Sequence, residues 1–78
     1  MQKTYEECKG IAQEVASQFN TTLSKAYTIN NDYVFDTAIE VMGYFPAVIE
    51  SETGNRCGLW RYLNDHDLTE YDMKEREL

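Results

Sequence analysis

The sequence lacks most of the features that indicate catalysis or membrane insertion. It has one histidine, two cysteines and one proline in 78 residues. It contains no CxxC pair, no GxGxxG sequence and no Walker sequence, so neither zinc-ligand spacing, nor a redox pair, nor a phosphate-binding loop is indicated. No apolar run approaches the roughly 20 residues of a membrane span. We therefore expect a protein that is not an enzyme, needs no cofactor and does not enter membranes.

Length and composition limit the possible architecture. A chain of 78 residues buries only about 60% of its unfolded surface and cannot divide its apolar residues between two cores. Hydrophobic residues make up 42% of the chain and aromatic residues 13%, which suits a packed core and is too much for a disordered chain. The sequence therefore predicts a single domain over residues 1–78.

Bases are also scarce, with seven Lys and Arg against 14 Asp and Glu and a net charge of -7. Such a charge repels phosphate backbones and anionic lipids, so we expect no direct nucleic-acid or membrane binding and a basic surface on any protein partner. Glu6, Glu7 and Glu14 interrupt the apolar region that a signal peptide needs, which predicts a cytoplasmic protein. Cys8 and Cys57 are then expected to be reduced; a disulfide between them is the alternative for a secreted protein.

Two patterns predict the first half of the fold. Thr4 and Glu7 have the spacing of a capping box, which begins a helix. The apolar residues of this helix follow at helical spacing: Cys8, Ile11, Ala12, Val15 and Phe19. Residues 23–29 alternate as a strand does, and residues 30–32 suit a hairpin turn. Residues 33–42 continue as a second strand, with a helix as the alternative because apolar residues there also recur at helical spacing.

A second hairpin is predicted around the turn sequence ETGN. This turn separates an apolar strand at residues 47–49 from a second apolar run at residues 59–63. Residues 59–63 are then the second strand of this hairpin, and Trp60 and Tyr62 share one of its faces.

Thr69 and Asp72 repeat the capping chemistry of the first helix and predict a short helix near the C-terminal end. The predicted fold class is therefore α+β. We expect a small antiparallel sheet of about four strands, with the N-terminal helix packed on one face and the short C-terminal helix at the edge.

Residues 64–78 carry six acids and the single histidine, which raises the question of a metal or catalytic site. Asp65, His66 and Asp67 are suitable ligand types, but adjacent residues point in different directions and no second histidine is present. Cys57 with His66 has the residue types of a nucleophile and its base, without a spacing that is specific for that chemistry. We predict neither a metal site nor a catalytic site.

The aromatic and acidic residues instead predict a surface that binds a protein. Six tyrosines and a tryptophan exceed the needs of a small core, and such side chains concentrate in interfaces. The predicted contact residues are Trp60, Tyr62, Asp65, Asp67, Glu70 and Asp72.

A row of acids could compete for the basic groove of a nucleic-acid-handling protein, as expected of an inhibitor or a phage or mobile-element accessory protein. Glu75 and Glu77 would extend this row, and Asp32, Asp36 and Glu40 would support it if the sheet brings them alongside. The alternative is a structural or regulatory homodimer without enzymatic function, paired through a strand edge or the face that carries Trp60.

Overall fold

The fold is an antiparallel sheet with helices on both faces. The computed structural model describes residues 2–39, 41 and 44–78. In chain order its elements are α1 (Tyr5–Gln18), β1 (Leu23–Ile29), β2 (Asp32–Thr37), β3 (Ala47–Ile49), β4 (Arg56–Gly58), α2 (Leu59–Asp65), a single 3-10 turn (Glu70–Asp72) and β5 (Lys74–Arg76). The strand order is β4-β3-β2-β1-β5, and each neighbouring pair is antiparallel. The α+β class is confirmed, with five strands where about four were expected.

Helix α1 begins at the predicted capping box. The Thr4 hydroxyl accepts a hydrogen bond from the Glu7 amide at 3.2 Å, and the Glu7 carboxylate accepts one from the Thr4 amide at 3.0 Å. The helix buries its small side chains Cys8, Ala12 and Ala16 completely, so its axis can approach the sheet closely. Within the described ranges, no helix is long and apolar enough to cross a membrane.

The two helices cover opposite faces of the sheet. Phe35, Ala47 and Ile49 pack in one cluster with the buried residues of α1. Val34 and Val48 pack in a second cluster with α2. Because successive side chains of a strand point to opposite faces, the two clusters lie on opposite sides of β2 and β3. Helix α2 contacts β3 and the edge strand β4. It therefore packs on a face of the sheet, whereas the short helix was expected at the edge.

The first hairpin agrees with the prediction. Strand β1 occupies residues 23–29, and β2 confirms the strand interpretation as far as Thr37. The chain bends at Ala38 and Ile39. Residues 40 and 42 of the predicted second strand lie outside the described residues.

Two elements of the second half differ from the prediction. Residues 59–63 are helical, so the expectation that Trp60 and Tyr62 share a strand face is wrong. The capping box at Thr69 exists, but it begins one 3-10 turn in place of a regular helix. Lys74 and the two residues after it then pair with β1 as the edge strand β5. The short helix near the C-terminal end is α2.

Candidate functional site

Helix α2 separates the two aromatic residues that the sequence placed together. Tyr62 is 1% exposed and packs in the second core cluster, whereas the Trp60 side chain is 65% exposed. Residues two apart on a helix lie about 200° apart around its axis, so one faces the sheet and the other faces away. Trp60 is therefore on the surface as predicted, and Tyr62 is not available to a partner.

Tyr62 instead connects α2 to the sheet. Its hydroxyl donates a hydrogen bond to Asp32 Oδ2. Asp32 Oδ1 accepts a further bond from the Ser51 amide at 2.8 Å. Burial, followed by the bond to Asp32, raises the pKa of Tyr62 to about 12. The ring of the exposed residue His66 packs against the Tyr62 ring, with 4.2 Å between the ring centroids and an angle of 33° between the ring planes.

A cleft of about 490 Å³ lies beside Trp60, where β2 ends and α2 begins. The buried side chains Phe45 and Leu59 line it, and Ile39, which is 54% exposed, lines it together with Trp60. Gly58 also lines the cleft, and a methyl group added to it would meet no atom within 4 Å outside its chain neighbours. The cleft is therefore open above Gly58 and has both exposed and buried apolar walls.

Among the residues that the structure describes, two charged side chains line this cleft, Asp36 and Arg61. The Arg61 guanidinium lies 3.7 Å from the Asp65 carboxylate, which partly balances its charge. Asp36 Oδ1 accepts only a backbone hydrogen bond, from the Thr37 amide at 2.8 Å. Among the described residues no cation forms an ion pair with Asp36. Lys25 lies opposite Asp36 in the register of β1 and β2 without an ion pair to it, so the Asp36 carboxylate remains able to accept hydrogen bonds from a cationic group.

The predicted acids at and after the end of α2 are all exposed: Asp65, Asp67, Glu70 and Asp72. Glu75 and Glu77, farther along, are exposed too. Asp67 adopts a φ of 54°, which aspartate tolerates better than most residues. Asp72 Oδ2 accepts a hydrogen bond from the Thr69 amide at 2.8 Å, so this carboxylate also stabilises the local turn. We call residues 65–77 the acidic segment.

The additional acids that were expected to support the acidic segment are placed differently. Asp32 is half-buried and bonded to Ser51 and Tyr62. Asp36 lies in the cleft. Glu40 lies outside the described residues. Of the predicted row of acids, the members that are exposed outside the cleft are therefore those of the acidic segment.

Tyr71, which the sequence did not indicate as a contact residue, is 90% exposed within the 3-10 turn. Its amide donates to the Thr69 hydroxyl at 3.3 Å, so the capping motif fixes its backbone while its side chain remains in solvent. Its neighbours Glu70 and Asp72 are charged. The sequence held no clear signal of this exposure, because Leu68 lies three residues before Tyr71, at the spacing of an apolar helical face.

The residues considered for a metal site and for a catalytic pair lie on β4 and at the end of α2. Within the part of the chain that the structure describes, no group of three His, Cys, Asp or Glu residues is placed to hold a metal ion. Cys57 is half-buried against the α2 face, and burial raises the pKa of its thiol. His66 is exposed and its ring contacts the Tyr62 ring at a tilt.

No protein-family model, curated protein or solved structure matches this chain.

Proposed function

We propose that the protein is a non-catalytic, cytoplasmic binding module for a protein with a basic surface, acting as an inhibitor or accessory protein. The observation that carries this proposal is the exposed indole of Trp60, which is 65% accessible on a helix that otherwise buries its apolar residues. Exposed tryptophan beside a cleft is typical of interface anchors, since a large rigid side chain gains contact area at a small entropic cost.

The acidic segment gives the proposal its partner class. Its side chains are exposed, and within the described residues the single ion pair joins Arg61 to Asp65. Such charges mainly accelerate the encounter with a basic surface and are screened by salt, whereas a desolvated Trp60 slows dissociation. A nucleic-acid-handling protein has the required kind of basic groove.

The experiment begins with affinity capture from a bacterial lysate, identification by mass spectrometry and repetition with competing duplex DNA. Capture of a nucleic-acid-handling protein that DNA displaces would support a groove-blocking inhibitor. Recovery of a basic protein that DNA does not displace would favour an accessory role at another surface. Recovery of the chain alone would favour the homodimer.

Kinetics with the captured protein then test the mechanism. The triple variant Asp67→Asn, Glu70→Gln and Glu75→Gln removes three charges from the acidic segment, keeps the side-chain shapes and leaves the Arg61–Asp65 ion pair beside the cleft intact. We expect its association rate at low salt to fall about threefold or more, and its salt dependence to flatten. Equal rates for this variant and the unchanged protein would contradict the electrostatic part.

A matched control removes the same charge elsewhere. Glu6, Glu14 and Glu52 are exposed and lie on α1 and in the turn after β3, so their replacement by Gln changes the net charge equally. Association should change less in this control than in the acidic-segment variant. Trp60→Ala should raise the dissociation rate and leave the association rate nearly unchanged.

One observation favours the homodimer as a second candidate. Trp60 and Ile39 are exposed at the same cleft, and a two-fold interface requires such a self-complementary patch. Pairing through β5 is less favoured because all three of its residues are charged and exposed, a pattern that protects sheet edges. Sedimentation of the protein and of Trp60→Ala over a wide concentration range decides between monomer and dimer.

A further inference from the structure

The cleft beside Trp60 combines apolar walls with a negative charge. Phe45 and Leu59 provide buried apolar surface, and Trp60 provides an exposed indole. Asp36 is the acid of this cleft without an ion pair among the described residues, whereas the cation Arg61 is paired with Asp65. A side chain that complements this arrangement has an apolar stem and a cationic head.

Arginine fits this description better than lysine. Its planar guanidinium stacks on indole rings and donates two parallel hydrogen bonds to a carboxylate. Its methylene stem can also lie along apolar walls while the head remains with the acid. Trp60 and Asp36 line the same cleft and supply both groups that recognise a guanidinium.

The size of the cleft limits what it can hold. Its volume of about 490 Å³ lies within the range of about 300–1,000 Å³ of sites that accept small ligands. This is sufficient for a few residues of an extended chain and too small for a whole helix or domain face. The open space above Gly58 allows a backbone to approach the end of β4 closely.

We infer that this cleft binds an arginine side chain within a short extended segment of the protein partner, with the guanidinium between Trp60 and Asp36. The inference rests on the proposed function, because it assigns the contact that holds the complex after the acidic segment has guided the encounter. The acidic segment and the cleft are distinct in this assignment, so each can fail alone.

The test is a titration of the ¹⁵N-labelled protein, followed by NMR, with a blocked pentapeptide that has a central arginine between two leucines. The matched peptide contains citrulline, which has nearly the shape of arginine without its charge. We expect the arginine peptide to shift the amide resonances of Asp36 and Gly58 and the indole resonance of Trp60. Its affinity should exceed that of the citrulline peptide by about tenfold.

Three variants locate the binding. Asp36→Asn should bind the two peptides about equally, because the carboxylate that distinguishes them is absent. Gly58→Val should abolish binding, since the added side chain fills open space at a φ of -64° that any residue adopts. Trp60→Ala should weaken binding of both peptides. The spectrum of each variant shows whether it folds, so loss of fold is not mistaken for loss of binding.

Several outcomes would overturn the inference. These are equal binding of the two peptides to the unchanged protein, shifts confined to residues 65–77, or no shifts at millimolar peptide. Shifts confined to residues 65–77 would leave the proposed function intact and remove only the cleft from it. A different result is that the peptide binds in the cleft while the acidic-segment variant associates with the partner at the normal rate. This result would support the cleft as the arginine site and contradict the electrostatic part of the proposed function.

Discussion

At the scale of single residues, the Tyr62 hydroxyl is the group whose removal is most informative. It is buried and donates to Asp32, which also accepts from Ser51, so three separated parts of the chain meet at one carboxylate. Tyr62→Phe keeps the ring and leaves Asp32 with an unfilled acceptor. We expect the free energy of unfolding, measured in urea, to fall by about 1–3 kcal/mol.

Tyr71→Phe is the matched control for this prediction. Tyr71 is 90% exposed, so removal of its hydroxyl should change the free energy of unfolding by less than about 0.5 kcal/mol. Equal effects of the two substitutions would contradict the role that we assign to Tyr62.

The same hydroxyl makes stability depend on alkaline pH. The folded protein holds the Tyr62 proton with a pKa of about 12, whereas an unfolded tyrosine has a pKa of about 10. This contribution to stability is complete below pH 10 and is lost as the pH rises toward 12. We expect the stability difference between the unchanged protein and Tyr62→Phe to shrink by at most about 1.4 kcal/mol per pH unit in this window. A difference that stays constant from pH 9 to pH 12 would contradict it.

At the scale of elements, the capping box of α1 could be read directly from the sequence because its partners are three residues apart. The structure confirms both of its hydrogen bonds. We expect Thr4→Ala to lower the free energy of unfolding by about 1 kcal/mol, measured in urea. Thr22→Ala is the control, since this threonine is exposed and its side chain has no hydrogen bond within the described structure. If Thr4→Ala lowers the free energy of unfolding no more than Thr22→Ala does, the capping box does not stabilise α1.

Helix α2 shows where element prediction failed. Leu59, Tyr62 and Leu63 have the spacing of a buried helical stripe, which the sequence contains. The aromatic residues of this run favour strands, and the preceding turn favours a hairpin, so the strand interpretation prevailed. In the structure the hairpin partner, β4, ends at Gly58, after three residues. The apolar side chains on the second face of the sheet must be buried, and the residues after Gly58 bury them by forming a helix.

The candidate site was predictable only in part, for a related reason. Exposure of the acids follows from their charge, and the structure confirms it for those of the acidic segment. The direction of an aromatic side chain depends on the element that carries it, so the error at α2 placed Tyr62 on the surface. The cleft unites the end of β2 with the start of α2, and residues this far apart in sequence give no local signal of their proximity.

At the scale of the whole molecule, the two-faced sheet decides the chemistry of the cysteines. Cys8 lies on α1 and is completely buried on one face. Cys57 pairs with Val48 on β3, and both contribute to the cluster on the other face. The sheet therefore separates the two thiols, and both are free. This supports the predicted reduced state over the Cys8–Cys57 disulfide.

This separation predicts an order of reactivity toward iodoacetamide. Burial raises the pKa of both thiols, so each should react more slowly than an exposed cysteine at pH 8, because the thiolate is the nucleophile. Cys57 is half-buried on an edge strand and should be alkylated in the native protein. Cys8 should react only as the helix α1 leaves the sheet, at a rate that follows unfolding.

Mass spectrometry of the alkylated peptides measures both rates, and the variant Cys57→Ser isolates Cys8. Urea should accelerate the Cys8 reaction far more than the Cys57 reaction, because only the former requires the α1 face to open. If Cys8 reacts first, or if native protein yields a Cys8–Cys57 disulfide, the two thiols do not lie on opposite faces of an intact sheet. The same result would also contradict the packing of α2 on the sheet, which places Trp60 and Asp36 around one cleft.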